Sequence, residues 1–390
     1  MRLRRVGFDV VGESSVPDSI PLIKAALLRG LAAADAVIVC GGLGPTFDDL
    51  TREAVAAALG RSLRFDPRLW FRILKRFTRY RVPVPEENKR QAEVIAGAEV
   101  LNNAAGSAPG LRLEFRGRDG RPRSLLLLPG PYSEMAPIFE KALPRLAARH
   151  ARGLGVASFT LRLVGVPESV ADEKLDAVRA RFPDAGFTIL ASGGEVSFHT
   201  TVLSHSTASA KKTLASLRRE VINAVGRWSY GEGDATLESL LGERLKKRKL
   251  TLAVAESCTG GLLGGRITAV SGSSAWFVGG IIAYANVVKT RGLGVSAAVI
   301  KRHGAVSAEC AAAMALGARK NTGSDIAVAV TGIAGPNGGT KDKPVGLVFV
   351  AVSGARENVQ TRRYEFHGPR ETVRQRAVTA ALSLLREVLA

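Results

Sequence analysis

The sequence predicts a multidomain α/β protein, and three observations carry that expectation. Apolar runs of strand length, at 36–40, 252–255 and 326–331, each give out into a glycine-rich polar loop. Behind the first two loops apolar residues return at helical spacing: Ala54, Val55, Ala58 and Leu59 in one case, Leu262, Leu263, Ile267 and Val270 in the other. The chain has 390 residues, of which 46% are hydrophobic, enough for two or three domains with cores of their own. In open α/β sheets, ligand sites collect beyond the carboxyl ends of the strands, so these loops are where function is expected.

Composition narrows the function classes. Cys40, Cys258 and Cys310 have no paired spacing, which argues against a disulfide framework or a zinc site and fits a reducing cytoplasm. No apolar run reaches membrane-spanning length, and the first residues lack the apolar core of a signal peptide, so a cytoplasmic protein without a membrane partner is expected. The 55 basic against 35 acidic residues give a net charge of +20. The basic residues read as scattered, with one short cluster at Lys246, Lys247, Arg248 and Lys249 and no aromatic interleaving. Composition or a small anionic substrate therefore explains the excess better than nucleic acid does.

Residues 1–149 read as an α/β domain. The strand at 36–40 runs into Gly41-Gly42-Leu43-Gly44-Pro45-Thr46, and Asp48, Asp49 and Thr51 precede the next helix. Strand, glycine-rich loop and helix N-terminus together cradle phosphate, with Gly42, Gly44 and Thr46 on the loop and Asp48 and Asp49 placed for a divalent metal. The plain alternative is a turn with Asp as the cap. Asn88 and Gln91, the turn at 106–110 and the run 125–128 into Pro129-Gly130-Pro131-Tyr132-Ser133-Glu134 repeat the arrangement, which adds Glu134 to the phosphate or metal candidates.

Residues 150–232 read as a small α+β domain. Phe159 to Val164 is an alternating strand, a helix runs through Val170, Leu175 and Val178, strands follow at 187–190 and 196–202, and a second helix carries Leu214, Leu217, Val221, Ile222 and Val225. His199 and His205 are isolated and read as surface or satisfied side chains rather than ligands. The domain reads as a spacer or dimer-forming unit, so a homodimer or higher homo-oligomer is expected. Gly231-Glu232-Gly233-Asp234 marks the next boundary, with Asp234 or Thr236 capping the helix behind it.

Residues 233–390 hold the stretch on which function turns, Ala255-Glu256-Ser257-Cys258-Thr259-Gly260-Gly261. Ser257 falls at a strand-to-helix turn, the address of a nucleophile, where backbone N–H groups point outward and Gly260 and Gly261 let a substrate approach the main chain. The alternative is that Ser and Thr cap the helix and the glycines permit the bend. A second run, 279–284, ends in Tyr284, Asn286 and Lys289. A third ends in Thr331-Gly332-Ile333-Ala334-Gly335-Pro336-Asn337-Gly338-Gly339, and one shared pocket best explains all three.

Gly-Gly-Leu-Gly-Pro-Thr-x-Asp-Asp-x-Thr (41–51), Ser-Ala-Pro-Gly (107–110) and Leu-Pro-Gly-Pro-x-x-Glu (128–134) resemble the molybdopterin-binding-like domain at the front of the competence/damage-inducible (CinA) family. The 255–261 stretch, Gly-Ser-Ser-Ala-Trp-Phe (272–277), Tyr-x-Asn-x-x-Lys (284–289) and Thr-Gly-Ile-Ala-Gly-Pro-x-Gly-Gly-x-x-x-Lys-Pro-Val-Gly (331–346) resemble its carboxy-terminal nicotinamide mononucleotide deamidase domain. The resemblance implies a KH-type middle module, although no Gly-x-x-Gly clamp is present between its helices. It also places a further strand and helix before Gly7-Phe8-Asp9-Val10, so the front domain is expected to be one βα unit short. The activity the resemblance implies for that domain is a metal-dependent ADP-ribose pyrophosphatase.

The activity implied for the last domain is hydrolysis of the carboxamide of nicotinamide mononucleotide, with no cofactor. Amide hydrolysis without a metal needs a nucleophile, a base and donors for the oxyanion. Ser257 supplies the first. His303 and His367 lie in no comparable motif, so Lys289 is the expected base, provided burial lowers its pKa, with Tyr284 as proton relay or positioning group. Cys258 is the rival nucleophile. Thr259, Gly260, Gly261, Asn286, Thr331, Gly332, Gly335, Gly338 and Gly339 are the expected substrate-binding residues. Lys343 and Arg370 are expected to meet the phosphate, Arg370 rather than Arg374 because it precedes the final helix. The alternative for the 331–339 loop is a structural turn.

Overall fold

The computed structural model describes residues 2–117, 119–150, 155–354 and 358–390. It is a mixed α/β structure with several sheets and divides into two compact units, residues 1–156 with 203–210 and residues 157–202 with 211–390. The predicted junction at 149/150 adjoins 151–154, which lie outside the described residues. No helix among the described residues is long and apolar enough to cross a membrane.

In the first unit α1 (Ile20–Ala33), β1 (Ala36–Cys40), α2 (Thr51–Leu59), β2 (Leu63–Phe65), α3 (Pro67–Arg79), β3 (Glu93–Ile95), β4 (Glu99–Leu101), β5 (Gly110–Arg116), β6 (Pro122–Leu128) and α4 (Tyr132–His150) follow in order. The sheet runs β1-β6-β5-β4, with β1 at one edge, parallel to β6, and β5 antiparallel to both its neighbours. Period-two alternation divides β6 between two cores. Leu125 and Leu127 face Leu27 and Val55, whereas Leu126 and Leu128 face Ile138 and Ala142 of α4. β2 and β3 pair separately, and α3 lays Leu69 and Ile73 against Ala92.

Next in the chain come β7 (Gly155–Val164), α5 (Glu168–Arg181), β8 (Gly186–Ser192), β9 (Glu195–Ser204), α6 (Thr207–Val225) and β10 (Ser229–Glu232), which fall mostly in the second unit and whose sheet runs β10-β7-β9-β8. His199 is buried in this sheet, its Nδ1 2.9 Å from Thr160 Oγ1 and its Nε2 3.2 Å from Thr201 Oγ1. It is a satisfied core side chain.

There follow α7 (Leu237–Arg248), β11 (Leu252–Glu256), α8 (Leu262–Thr268), β12 (Phe277–Ile282), α9 (Asn286–Leu293), α10 (Ala297–His303), α11 (Ala308–Thr322), β13 (Ile326–Gly332), β14 (Leu347–Ser353), β15 (Val359–Glu365) and α12 (Arg370–Val388). Thr236 caps α7 through the N–H of Ser239, whose hydroxyl answers to the N–H of Thr236. The sheet order is β12-β11-β13-β14-β15, with β11 parallel to β12 and β13.

Its two faces differ in side-chain size. Ala253, Ala255, Ala327, Ala329 and Ala351 meet the alanine-rich α11, while Val254, Val328, Val330, Val348 and Val350 meet α12. Small side chains on both partners let α11 lie close. A Cβ on Gly317 would stand 1.8 Å from the carbonyl oxygen of Leu293. The middle sheet is tied to this part by Arg266 of α8, which bridges Glu195 and Glu238 and donates to Thr379 Oγ1 at 2.9 Å.

Candidate active site

Parallel pairing carries the site into register. β11 lies between β12 and β13, and the ladder continues one step past its last residue: Ser257 N donates to Val330 O at 2.9 Å, and Ala283 N donates to Glu256 O at 2.7 Å. The ends of three strands, far apart in sequence, thus lie side by side.

Lys289 sits in the first turn of α9, and helical side chains lean toward the N-terminus. Its Nζ lies 2.7 Å from Ala283 O, 3.0 Å from Tyr284 O and 3.0 Å from Ser257 Oγ. Lys289 is 1% exposed and Ser257 8%. Burial pushes the lysine pKa below its ordinary value, because the charged form loses hydration that two carbonyls and a hydroxyl do not restore. The Cys258 thiol is buried as well, and burial pushes its pKa up to about 11.

The turn after Ser257 is held from two sides. Glu256, 1% exposed, accepts from Gly261 N at 2.9 Å, Leu263 N at 3.1 Å and Gly264 N at 2.8 Å, which satisfies the start of α8 with a full negative charge. These N–H groups are therefore spent, where the sequence reading had them pointing outward. From the other side Arg374 of α12 donates Nε to Cys258 O at 3.2 Å and Nη2 to Thr259 O at 2.9 Å. In a trans peptide the N–H points opposite to the preceding C=O, so Arg374 turns the N–H of Thr259 away from itself. None of the described residues accepts that N–H. Gly260 and Gly261 both have positive φ, 58° and 98°, which the tight bend requires.

The remaining expected residues are placed as follows. Tyr284 is exposed, and its phenol oxygen accepts from Arg370 Nη2 at 3.0 Å; its main-chain carbonyl, not its hydroxyl, is what touches Lys289. The other Nη of Arg370 donates to Gly335 O at 2.7 Å, so Arg370 spans from β12's end to the 332–346 loop. Arg370 is the first residue of α12, with Pro369 as the cap. Thr259 is fully buried, and its Oγ1 has no partner among the described residues. Asn286 is exposed at the start of α9.

Thr331 is fully buried and donates to Ala305 O at 2.8 Å, and Gly332 closes β13 opposite Val348. Gly335 and Gly339 are packed against Val345, where a Cβ would stand within 3 Å of it, and Gly338 has a φ of 89°. Lys343 Nζ donates to Val306 O at 2.8 Å and His303 O at 2.5 Å, tying the loop to the turn before α11. His303 faces Glu309 at 3.3 Å.

Glu256 and Arg374 are the residues that sequence reasoning missed. Glu256 left a trace, an acid closing an otherwise apolar strand shortly before a helix start. Arg374 is one turn beyond Arg370 and therefore on the same face of α12.

In the first unit the 41–50 loop closes on itself. Thr46 Oγ1 lies 2.5 Å from both Asp48 Oδ1 and Asp49 Oδ2, and Thr46 N donates to Asp49 Oδ2 at 2.9 Å. Beneath it, the buried Arg52 donates to Leu43 O at 2.6 Å and Gly44 O at 2.9 Å. Gly42 has a φ of 67° and lies against Thr51, and Gly44 lies against Asp49. Glu134 accepts from Asn103 Nδ2 at 2.6 Å and packs on Gly106. Among the described residues no three His, Cys, Asp or Glu side chains group so as to hold a metal ion. Asp48 and Asp49 both lie against Thr46.

In sequence, residues 234–389 match the family model described as "CinA C-terminal domain" and residues 1–148 the one described as "Probable molybdopterin binding domain". The chain is 42% identical over 394 residues to the "CinA-like protein" of Koribacter versatilis, covering 100% of this chain and 93% of that protein. It is 39% identical over 387 residues to the "CinA-like protein" of Thermotoga maritima, covering 99% and 91%. Among solved structures, the competence/damage inducible protein CihA from Agrobacterium tumefaciens is 38% identical, aligning 40% of this chain with 96% of that one at a TM-score of 0.38.

Proposed function

The chain belongs to the CinA-like family, and from that premise we propose that its second unit is an amidohydrolase, converting nicotinamide mononucleotide to nicotinate mononucleotide and ammonia through an acyl-Ser257 intermediate. The observation that carries this reading is the buried contact of 3.0 Å between Lys289 Nζ and Ser257 Oγ. A neutral amine has two N–H donors and one lone pair. Ala283 O and Tyr284 O accept the two, which leaves the lone pair for the Ser257 hydroxyl.

In the proposed reaction Ser257 Oγ attacks the carboxamide carbon as its proton passes to Nζ. The N–H of Thr259, turned away from Arg374 and accepted by none of the described residues, is a donor for the tetrahedral oxyanion. On collapse the leaving nitrogen takes the proton from the Lys289 ammonium and departs as ammonia, and water then cleaves the acyl ester with Lys289 again as base. The exposed pair formed by Arg370 and Tyr284 suits the nucleotide phosphate.

The test is product analysis with nicotinamide mononucleotide. Nicotinate mononucleotide and ammonia should form in equal amounts, at a rate untouched by chelators and abolished in Ser257→Ala. A Ser257→Ala protein that keeps the parent rate, or a chelator-sensitive reaction, would overturn the proposal.

A further inference from the structure

We infer that the outward face of α3, in the first unit, is a binding surface for single-stranded nucleic acid, separate from the Ser257 site. This departs from the reading of the basic residues as scattered and free of aromatic interleaving. Between positions 68 and 81 the chain carries six cations and no acid, interleaved with Trp70, Phe71, Phe77 and Tyr80. The run escapes a count of consecutive charges because its order appears only around a helix.

At about 100° per residue, Arg68, Arg72, Lys75 and Arg79 fall within roughly 60° of one another and spread over about 16 Å of helix. All four are exposed, and none meets a carboxylate among the described residues. Like charges at i, i+4 repel, and they do so here without relief from the protein itself. A polyanion laid along the helix would remove that repulsion and release its own counterions.

Two further features select the kind of polyanion. Phe71, 66% exposed, flanks the stripe, and Tyr80, 62% exposed, stands at the helix end with the Arg76 guanidinium 5.7 Å over its ring. Exposed aromatic faces beside a cationic track are stacking platforms for unpaired bases, which a duplex does not present. Beside the stripe lies a cleft of about 120 Å³ lined by Arg72 and Arg76 on one side and by Asn102, Asn103 and Ser107 on the other. Arg76 braces its rim by donating to Ala104 O at 3.0 Å. The amides and hydroxyl supply the polar groups that a base edge or a sugar needs.

An anionic membrane fits less well. An interfacial helix must lower its apolar face into the bilayer, and α3 already buries Leu69 and Ile73 in its own domain.

The experiment titrates the full chain against labelled oligothymidylate and oligouridylate of about 20 nucleotides, from about 50 to about 200 mM salt, the two oligomers separating DNA from RNA as the source. Binding should weaken steeply with salt. Arg72→Ala/Lys75→Ala/Arg79→Ala should make the log–log salt slope shallower by about 2, from roughly 0.7 per lost phosphate contact. Phe71→Ala should weaken binding about tenfold with the slope unchanged. Unaltered circular dichroism and thermal midpoints would show that both variants are folded, and amidase rates should match the parent. The inference fails if neither oligomer binds at the lowest salt, or if both variants bind like the parent. Equal competition by a duplex of the same length, or binding only to phosphatidylserine vesicles, would also overturn it.

Discussion

The loop after β1 and the turn after β11 are built from the same parts, a strand end, a glycine-rich bend and a helix start, and they treat their polar groups in opposite ways. In the first, neighbours within a few residues satisfy one another. Burial would push the Asp49 carboxyl up, but hydrogen bonds from Thr46 and from the main chain at 44 and 46 outweigh it and hold the group below its ordinary pKa. Such a carboxylate is content with its charge and makes a poor base. In the second, Lys289 comes from 32 residues beyond Ser257 and is buried with no counter-charge in contact among the described residues. Its charge is the unstable form. Reactivity therefore resides where burial is left uncompensated, and the glycine-rich shape common to both places does not itself confer it.

The sharpest way to break this comparison is to disable each place in turn. Ser257→Ala or Lys289→Met should lower ammonia release from nicotinamide mononucleotide by at least about 10³-fold, since nucleophile and base act as a unit. Asp48→Asn and Asp49→Asn should stay within about twofold. Equal losses from Asp49→Asn and Ser257→Ala would mean that the two units do not divide their roles as argued.

Next in size is Glu256→Gln. The carboxylate answers three main-chain N–H groups in a fully buried position, and an amide brings an NH₂ where acceptors are needed. A loss of about 2–3 kcal/mol is expected in denaturant unfolding. Asp49→Asn, which changes a half-buried group, should lose about 1 kcal/mol or less. Arg374→Lys sharpens the same point, because one ammonium cannot reproduce two forked bonds to Cys258 O and Thr259 O. A fall of about tenfold in kcat with KM little changed is expected of a residue that positions the oxyanion donor; a change confined to KM would make Arg374 a substrate ligand instead.

The pH dependence follows from the direction of the Lys289 shift. The folded-state pKa lies below the ordinary lysine value of 10.5, so between the two the unfolded chain holds more protons than the native one. Stability attributable to this group should therefore rise with pH across that window and be flat below both values. The same titration supplies the neutral amine, so kcat/KM should rise with pH along an acid limb whose midpoint is the lowered value. Lys289→Met should flatten the stability difference. A parent and variant with parallel stability profiles would show that the lysine is ordinary.

Much of this was legible in the sequence, and what was not has a common cause. The strands, the Ser257 turn and the choice of Lys289 over a histidine follow from apolar runs and residue chemistry along one element. Distances across elements do not. Arg370 was preferred to Arg374 for a phosphate because it starts the helix; that Arg374, the next residue on the same face of α12, reaches Cys258 and Thr259 was not visible in the spacing. Lys343 looked like a phosphate ligand because it is a cation in a glycine-rich loop, and two of its three N–H donors go to main-chain carbonyls that its position in the chain does not foretell. Tyr284 was chosen for its hydroxyl, and it is the peptide behind that side chain that grips Lys289. In each case what spacing along the chain leaves open is which atom of the residue meets which partner, something that sheet pairing and helix placement decide.

The smallest expected effect tests the rival nucleophile. Cys258 lies next to Ser257, but its thiol is buried, and a pKa of about 11 leaves roughly one part in 10⁴ as thiolate near neutral pH. What the site uses of Cys258 is its main chain, whose carbonyl Arg374 holds, and Ala keeps that main chain intact. Cys258→Ala should therefore retain activity within about threefold, with a modest loss of stability from the removed packing. Iodoacetamide should inactivate the native protein no faster than it does the variant. Rapid inactivation of the parent, with one label on Cys258 and protection by substrate, would put the thiol in the reacting position and reverse the roles of the two neighbours.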